Sequence, residues 1–252
     1  MRAQLSKILS LLGLTLSTLS VSVFAAPNEY DEKQPMVMHP SVIWGLQFEE
    51  LELRLDEGND KFGVWNADAF IGTDEFKLRW ISKGEYSDED NGYEQLENHL
   101  VGQIPVSKFF DVKAGFRFDT PEGPNTSYAL IGLSGLAPYW FEIDTNIYLS
   151  DNGDLSADLD AEYELLLTNR LILTASLDAD IAFSEDKEIA LGKGLRSTET
   201  GLRLRYDLFG RQFSPYIGVV QEQLWGDTAS FIRQNGGESH DVLMVVGAKI
   251  MF

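Results

Sequence analysis

Residues 139–183, YWFEIDTNIYLSDNGDLSADLDAEYELLLTNRLILTASLDADIAF, contain three successive runs in which apolar and polar side chains alternate. A period of two residues indicates a β-strand. Each run has about ten residues or more, whereas strands average about 5–6 residues. Long strands with one apolar and one polar face are typical of a transmembrane β-barrel, apolar outside and polar inside. The inward rows would form an acidic wall, which consists of Glu142, Asp144, Asp158, Asp160, Glu162, Glu164, Asp178 and Asp180.

The same alternation extends from residue 41 to residue 252 and predicts an all-β, antiparallel barrel of about twelve strands. The predicted connections alternate between short turns and longer polar loops, an asymmetry that is typical of outer-membrane barrels. An even strand count places both ends of the barrel on the periplasmic side. The competing interpretation, a soluble β-sandwich, would require a second sheet over the apolar rows and would not favour strands of this length.

Three details of the strands are expected from the pattern. The apolar row of the first strand changes phase near Glu49 and Glu50, which predicts either a β-bulge or a change from the tail to the barrel wall. The tenth strand is predicted at about residues 199–208. The segments 184–197 and 225–240 are expected to be long connections without regular structure.

The N-terminus carries the features of a secretory signal peptide: a basic start, an apolar run over residues 8–24 and small residues before Pro27. We expect residues 1–25 to be removed, and residues 26–40 to form a polar periplasmic tail before the barrel. An uncleaved anchor is the alternative, although the apolar run is shorter than the roughly 20 residues that a spanning helix needs. The expected location is the outer membrane of a Gram-negative bacterium.

The chain has a formal net charge of −20 and no cysteine. Such a charge disfavours nucleic acid as a partner and attracts cations. The expected partners are therefore outer-membrane lipid, lipopolysaccharide and metal cations.

The predicted inward rows also contain basic residues, which would form a basic wall on the third, fifth and tenth strands. Its members are Lys77, Arg79, Lys83, Lys113, Arg117, Arg203 and Arg205. Buried charges are stable only when they are paired or hydrated. The lumen is therefore either a narrow water channel with acidic and basic walls or an interior closed by ion pairs, and the sequence leaves both alternatives open.

The sequence does not predict an enzyme, because its three histidines, His39, His99 and His240, lie in no recognisable nucleophile motif. Met36, Met38 and His39 are closely spaced in the tail. Thioether sulfur selects Cu(I), and imidazole suits copper in either oxidation state. These three residues are the candidate copper ligands, and Glu97 with His99 is a second candidate pair in the lumen.

Several segments resemble the copper resistance protein B family (CopB/PcoB). They are residues 135–142 (GLAPYWFE), 162–173 (EYELLLTNRLIL), 201–206 (GLRLRY), 215–219 (PYIGV) and 226–229 (GDTA). The order of the segments is also similar, and the resemblance extends from about Met36 to Phe252. It implies an outer-membrane barrel that binds copper, as Cu(I) or Cu(II), and takes part in periplasmic copper handling.

The chain differs from the family at its N-terminus, where family members often carry a longer region rich in Met and His. Two hypotheses follow. The first is a copper-binding barrel for copper homeostasis or resistance, which moves copper across the outer membrane and acts with a periplasmic copper-binding protein. The second is a structural or general small-solute barrel whose lumen is crossed by a network of charges.

Overall fold

The structure is a computed structural model, which describes residues 41–56, 58, 60–87, 92–120, 125–184, 193–234 and 236–252. The proposed signal peptide and the tail, with Met36, Met38 and His39, lie outside the described residues. The description of the barrel below concerns residues from 41 onward. No helix in the described ranges is long and apolar enough to cross a membrane.

Twelve antiparallel strands close into one barrel, in which each strand pairs with its neighbours in sequence and β12 pairs with β1. This confirms the predicted strand number and fold class. The strands are β1 (Ile43–Leu55), β2 (Lys61–Gly72), β3 (Lys77–Ser87), β4 (Gly92–Pro105), β5 (Phe110–Asp119), β6 (Thr126–Ala137), β7 (Phe141–Ser150), β8 (Leu155–Leu166), β9 (Leu171–Ala182), β10 (Gly194–Tyr206), β11 (Phe213–Leu224) and β12 (His240–Met251).

The two ends of the barrel differ in their connections. At one end, tight turns join β2 to β3, β4 to β5, β6 to β7, β8 to β9 and β10 to β11. We call this the short-turn end. The beginning of β1 and the end of β12 also lie there, since Gln47 pairs with Met251 and the amide of Phe252 donates to the carbonyl of Leu46 at 2.8 Å. The opposite end, which we call the loop end, carries the remaining connections.

Side chains alternate across the barrel wall as the sequence pattern predicts. On β1 and β12 the exposed residues include Leu53, Met244 and Val246, whereas the neighbouring Arg54 and Val245 are buried. A single sheet that closes on itself has no second layer to cover such an apolar exterior, so this surface is suited to lipid.

The predicted bulge in the first strand is confirmed. The register between β1 and β2 shifts between Phe48 and Glu50, so that Glu49 and Glu50 both line the lumen. After the bulge, Glu52 and Arg54 point inward. The bulge therefore brings an additional carboxylate into the lumen from a single strand.

Two connections differ from the expectation. The tenth strand begins at Gly194, earlier than predicted, because its first residues pair with β9 up to Ala182. The connection between β11 and β12 contains helix α1 (Gly226–Gln234), whose first residue, Gly226, has a left-handed φ of 57°. The preceding Trp225 is held by its backbone bond to Arg196 and by its indole bond to Thr198.

Candidate functional site

The lumen is a cavity of about 1040 Å³. The predicted inward rows face it: seven members of the acidic wall line the cavity, and Glu164 bonds to Arg205 at 2.8 Å. Every member of the predicted basic wall also lines it. The two walls therefore face one lumen.

Six carboxylates form a continuous row that crosses six neighbouring strands, half of the barrel. Cross-strand pairing places them directly side by side, in the order Asp144, Asp160, Asp178, Glu199, Glu222 and Asp241. Asp144 is near the short-turn end of β7, and Asp241 is at the loop end of β12. The first five of these residues line the lumen cavity, whereas Asp241 lines a separate small pocket, so the row extends from near the short-turn end towards the loop end.

The strand tilt gives this row a vertical extent. Neighbouring strands are about 4.8 Å apart, so five steps cover about 24 Å along the row. With a strand tilt of about 40°, the row rises by about 15 Å along the barrel axis. We call the six residues the carboxylate ladder.

Arginines neutralise part of the carboxylate ladder near the loop end. Arg54 contacts Glu199 at 2.9 Å and Glu222 at 3.1 Å, while it also donates to Glu52 at 2.9 Å. Arg203 donates to Glu52 at 2.6 Å. These residues join β1, β10 and β11 through the lumen.

Sequence reasoning did not assign Glu52, Arg54, Glu199 or Glu222 to the lumen walls. The charged row of the first strand is visible in the sequence, but the bulge obscures its register. The sequence predicts a tenth strand that begins at about Glu199, whereas β10 includes the five residues before it. The alternation after the bulge does place Glu52 and Arg54 on the polar face of the first strand, opposite Leu53.

A second ion-pair cluster surrounds Arg117. Its guanidinium donates to Glu97, and it donates to each of the two carboxylate oxygens of Asp119 at 2.7 Å. It also lies over the ring of Tyr148, 4.9 Å from the centroid. The hydroxyl of Tyr148 donates to Asp158, which connects this cluster to the acidic wall.

The candidate pair Glu97 and His99 belongs to this cluster. The His99 Nε2 atom is 3.4 Å from a carboxylate oxygen of Glu97, and both side chains are buried. The neighbouring Arg117 places a fixed positive charge on Glu97, which opposes a metal cation at the same carboxylate. This pair is therefore better suited to hold Arg117 than to hold copper.

Further pairs fix three more of the basic residues. Lys113 bonds to Asp144, Arg79 bonds to Asp68, and Arg205 bonds to Glu164 and Asp207. Lys77, Lys83, Lys108 and Lys249 also line the cavity, and the ion pairs among the described residues include none of them.

The described part of the chain contains no group of three or more His, Asp or Glu side chains arranged to hold a metal ion. His240 is exposed at the start of β12. The cavity-lining residues in the described ranges include no methionine. Carboxylate oxygens are hard ligands that attract cations, whereas retention of Cu(I) requires sulfur or imidazole. The lumen wall therefore offers mainly hard carboxylate oxygens, together with the imidazole of His99.

Comparison with known proteins agrees with this architecture. The barrel is similar to that of the NanC porin, with a TM-score of 0.51, 12% sequence identity, and coverage of 82% of this chain and 99% of that chain. At this identity the similarity extends to the fold of an outer-membrane barrel and no further.

Sequence comparison identifies the family. Copper resistance protein B of Escherichia coli is 34% identical over 220 residues, which cover 87% of this chain and 73% of the relative. The copper resistance protein B homolog of Pseudomonas syringae pv. tomato is 33% identical over 216 residues, 85% of this chain and 72% of the relative. The family model described as copper resistance protein B precursor (CopB) matches residues 42–252. The chain therefore belongs to the copper resistance protein B family.

Proposed function

We propose that this protein is an outer-membrane barrel through which hydrated copper cations pass, guided by the carboxylate ladder. Copper is the cargo in this proposal. The single observation that carries it is the ladder itself, whose carboxylates succeed one another on six adjacent strands from near the short-turn end towards the loop end.

The distribution of charge supports passage of cations. Lys113 pairs with Asp144, and Arg54 pairs with Glu199 and Glu222, but no ion pair with a described residue neutralises Asp160 or Asp178. These two aspartates are directly paired in the register of the adjacent strands β8 and β9. An excess of negative charge in a narrow, water-filled lumen raises the local concentration of cations.

Copper specificity is assigned to the tail in this proposal. Met36, Met38 and His39 are the soft ligands of the N-terminal region, and soft ligands select copper over the hard cations that carboxylates also attract. The tail would hold copper, and the lumen would conduct it without retaining it. The protein would have no catalytic activity, and copper would be exchanged with a periplasmic copper-binding protein.

The experiment is a measurement of ion selectivity in planar lipid bilayers that contain the purified mature protein. We expect cation-selective conductance, and Cu(II) influx into liposomes that enclose a copper-quenched dye. Asp160→Asn/Asp178→Asn should lower the cation-to-anion permeability ratio several-fold, because it removes two adjacent carboxyl groups of the ladder that no ion pair with a described residue neutralises. The matched control is Asp151→Asn/Asp154→Asn, which changes the net charge equally in the turn between β7 and β8, outside the cavity.

The outcome also distinguishes the second candidate, a structural or small-solute barrel. The network of Glu52, Arg54 and Arg203 favours that candidate, because it joins distant strands through the lumen. An anion-selective channel, or a barrel that excludes both ions and copper, would rule out copper passage and support a bracing role for the charges.

A further inference from the structure

The lumen contains two classes of positive charge, which differ in how they are held. The arginines are fixed by several partners each. Arg54 contacts three carboxylates within 3.1 Å, and Arg203 contacts Glu52 at 2.6 Å and Glu50 at 2.8 Å. Lys83 lines the same cavity, yet the ion pairs among the described residues do not include it. Its ammonium group is therefore free of a fixed partner in the described structure.

The surroundings of Lys83 are strongly acidic. Its charge interacts with Asp160, Asp178 and Asp158, and with Glu97 on the neighbouring strand β4. In a closed barrel of twelve strands, β3 lies opposite β9, because five strands separate them in either direction. Lys83 thus extends from the basic wall towards the part of the carboxylate ladder that arginines do not neutralise.

From this geometry we infer that Lys83 is a tethered counter-ion, whose charge offsets that of Asp160 and Asp178 and competes with a permeating cation for them. The inference rests on the proposed passage of cations, and it names the residue that controls their entry. Lysine suits this role, because its ammonium is a compact, hydrated charge on a flexible four-carbon chain. It can move away from the aspartates when a mobile cation replaces it. An arginine would be held there by paired hydrogen bonds.

The inference predicts a specific effect of charge at one position. Lys83→Gln removes the competing cation and keeps a polar side chain of similar length. We expect the cation-to-anion permeability ratio to rise about sevenfold, because a unit charge taken to lie about 7 Å from the ion in water changes the permeability of a monovalent cation about threefold and that of an anion by the same factor in the opposite direction. Cu(II) influx into liposomes should rise by a similar factor. Lys83→Arg should keep the wild-type ratio and lower the conductance, since a guanidinium binds the two aspartates more firmly.

Lys77→Gln is the matched control. Lys77 is on the same strand and in the same inward row, and it lines the cavity nearer the short-turn end. Lys77→Gln removes the same unit of charge at a position farther from Asp160 and Asp178. Its effect on selectivity should therefore be less than half that of Lys83→Gln. The heat-dependent mobility shift of the folded barrel on gels reports that each variant has assembled.

The measurement separates this inference from the proposed function. If the wild-type channel is not cation-selective, the proposed function is wrong. If the wild-type channel is cation-selective, but Lys83→Gln leaves selectivity unchanged or changes it no more than Lys77→Gln, the role of Lys83 is wrong while passage of cations stands. Equal changes in Lys83→Gln and Lys83→Arg would attribute the effect to side-chain shape and also overturn the inference.

Discussion

The buried carboxylate of Glu52 offers the sharpest test of the ion-pair network in the lumen. Its side chain is 0% exposed, and it accepts from Nε of Arg54 at 2.9 Å and from Nε of Arg203 at 2.6 Å. Glu52→Gln keeps the shape of the side chain and removes its charge. One oxygen remains as an acceptor, while the new amide NH₂ group faces a guanidinium that can only donate.

The magnitude follows from these two contacts. Hydrogen bonds to charged groups contribute about 1.5–3 kcal/mol each. The amide oxygen that remains after Glu52→Gln still accepts from a charged guanidinium, so one of the two bonds is lost and the free energy of unfolding should fall by about 1.5–3 kcal/mol. The loss stays below the upper end of the range for broken buried pairs, about 3–5 kcal/mol, because Arg54 retains Glu199 and Arg203 retains Glu50.

The assay is equilibrium unfolding of the barrel in lipid vesicles by urea, followed by tryptophan fluorescence. Glu75→Gln, in the exposed turn between β2 and β3, is the control, and should change stability by less than about 0.5 kcal/mol. Arg203→Met and the double variant complete a double-mutant cycle. Effects of Glu52→Gln and Arg203→Met that add within about 0.5 kcal/mol would refute the coupling between these two residues.

Two further predictions concern the lipid-facing surface and the tail. Val246→Arg places a charge at an exposed position near the middle of β12, and should cost about 2–4 kcal/mol in the same unfolding assay if this face contacts lipid; a neutral result would exclude that orientation of the strand. Met36→Ala/Met38→Ala/His39→Ala should lower the stoichiometry or affinity of Cu(I) in a competition titration of the mature protein, whereas Met244→Ala, which removes a thioether from the barrel exterior, should leave both unchanged. An unaltered titration of the triple variant would exclude the tail as the copper site.

The strands were predictable from sequence because the alternation is a local property. A residue two positions along a strand returns to the same face, so residues 141–149 alone assign Glu142 and Asp144 to one side. The length of such runs then indicates a membrane barrel, because a shorter strand would not cross the bilayer. Helix α1 was missed because its nine residues, within a polar loop, are too few to establish a helical period.

Pairing across the lumen was not predictable, because it depends on register and closure. The sequence places Asp160, Asp178 and Glu199 on inward rows or near strand ends, but only the register of β8, β9 and β10 makes them neighbours. A shift of one residue in any of these strands would turn its charged row towards lipid. The register therefore follows from the whole closed sheet and from its connections.

By itself, the sequence determined the strand number, the face of each strand and the presence of opposing charges in the lumen, because these depend on local periodicity. The tertiary structure decided which charges meet. Closure of β12 on β1 and the bulge at Glu49 and Glu50 bring Glu52 and Arg54 to Arg203, which is about 150 residues away in the chain. The same closure places Lys83 on the opposite side of the lumen from Asp178. Such pairs of residues are brought together only when β12 pairs with β1.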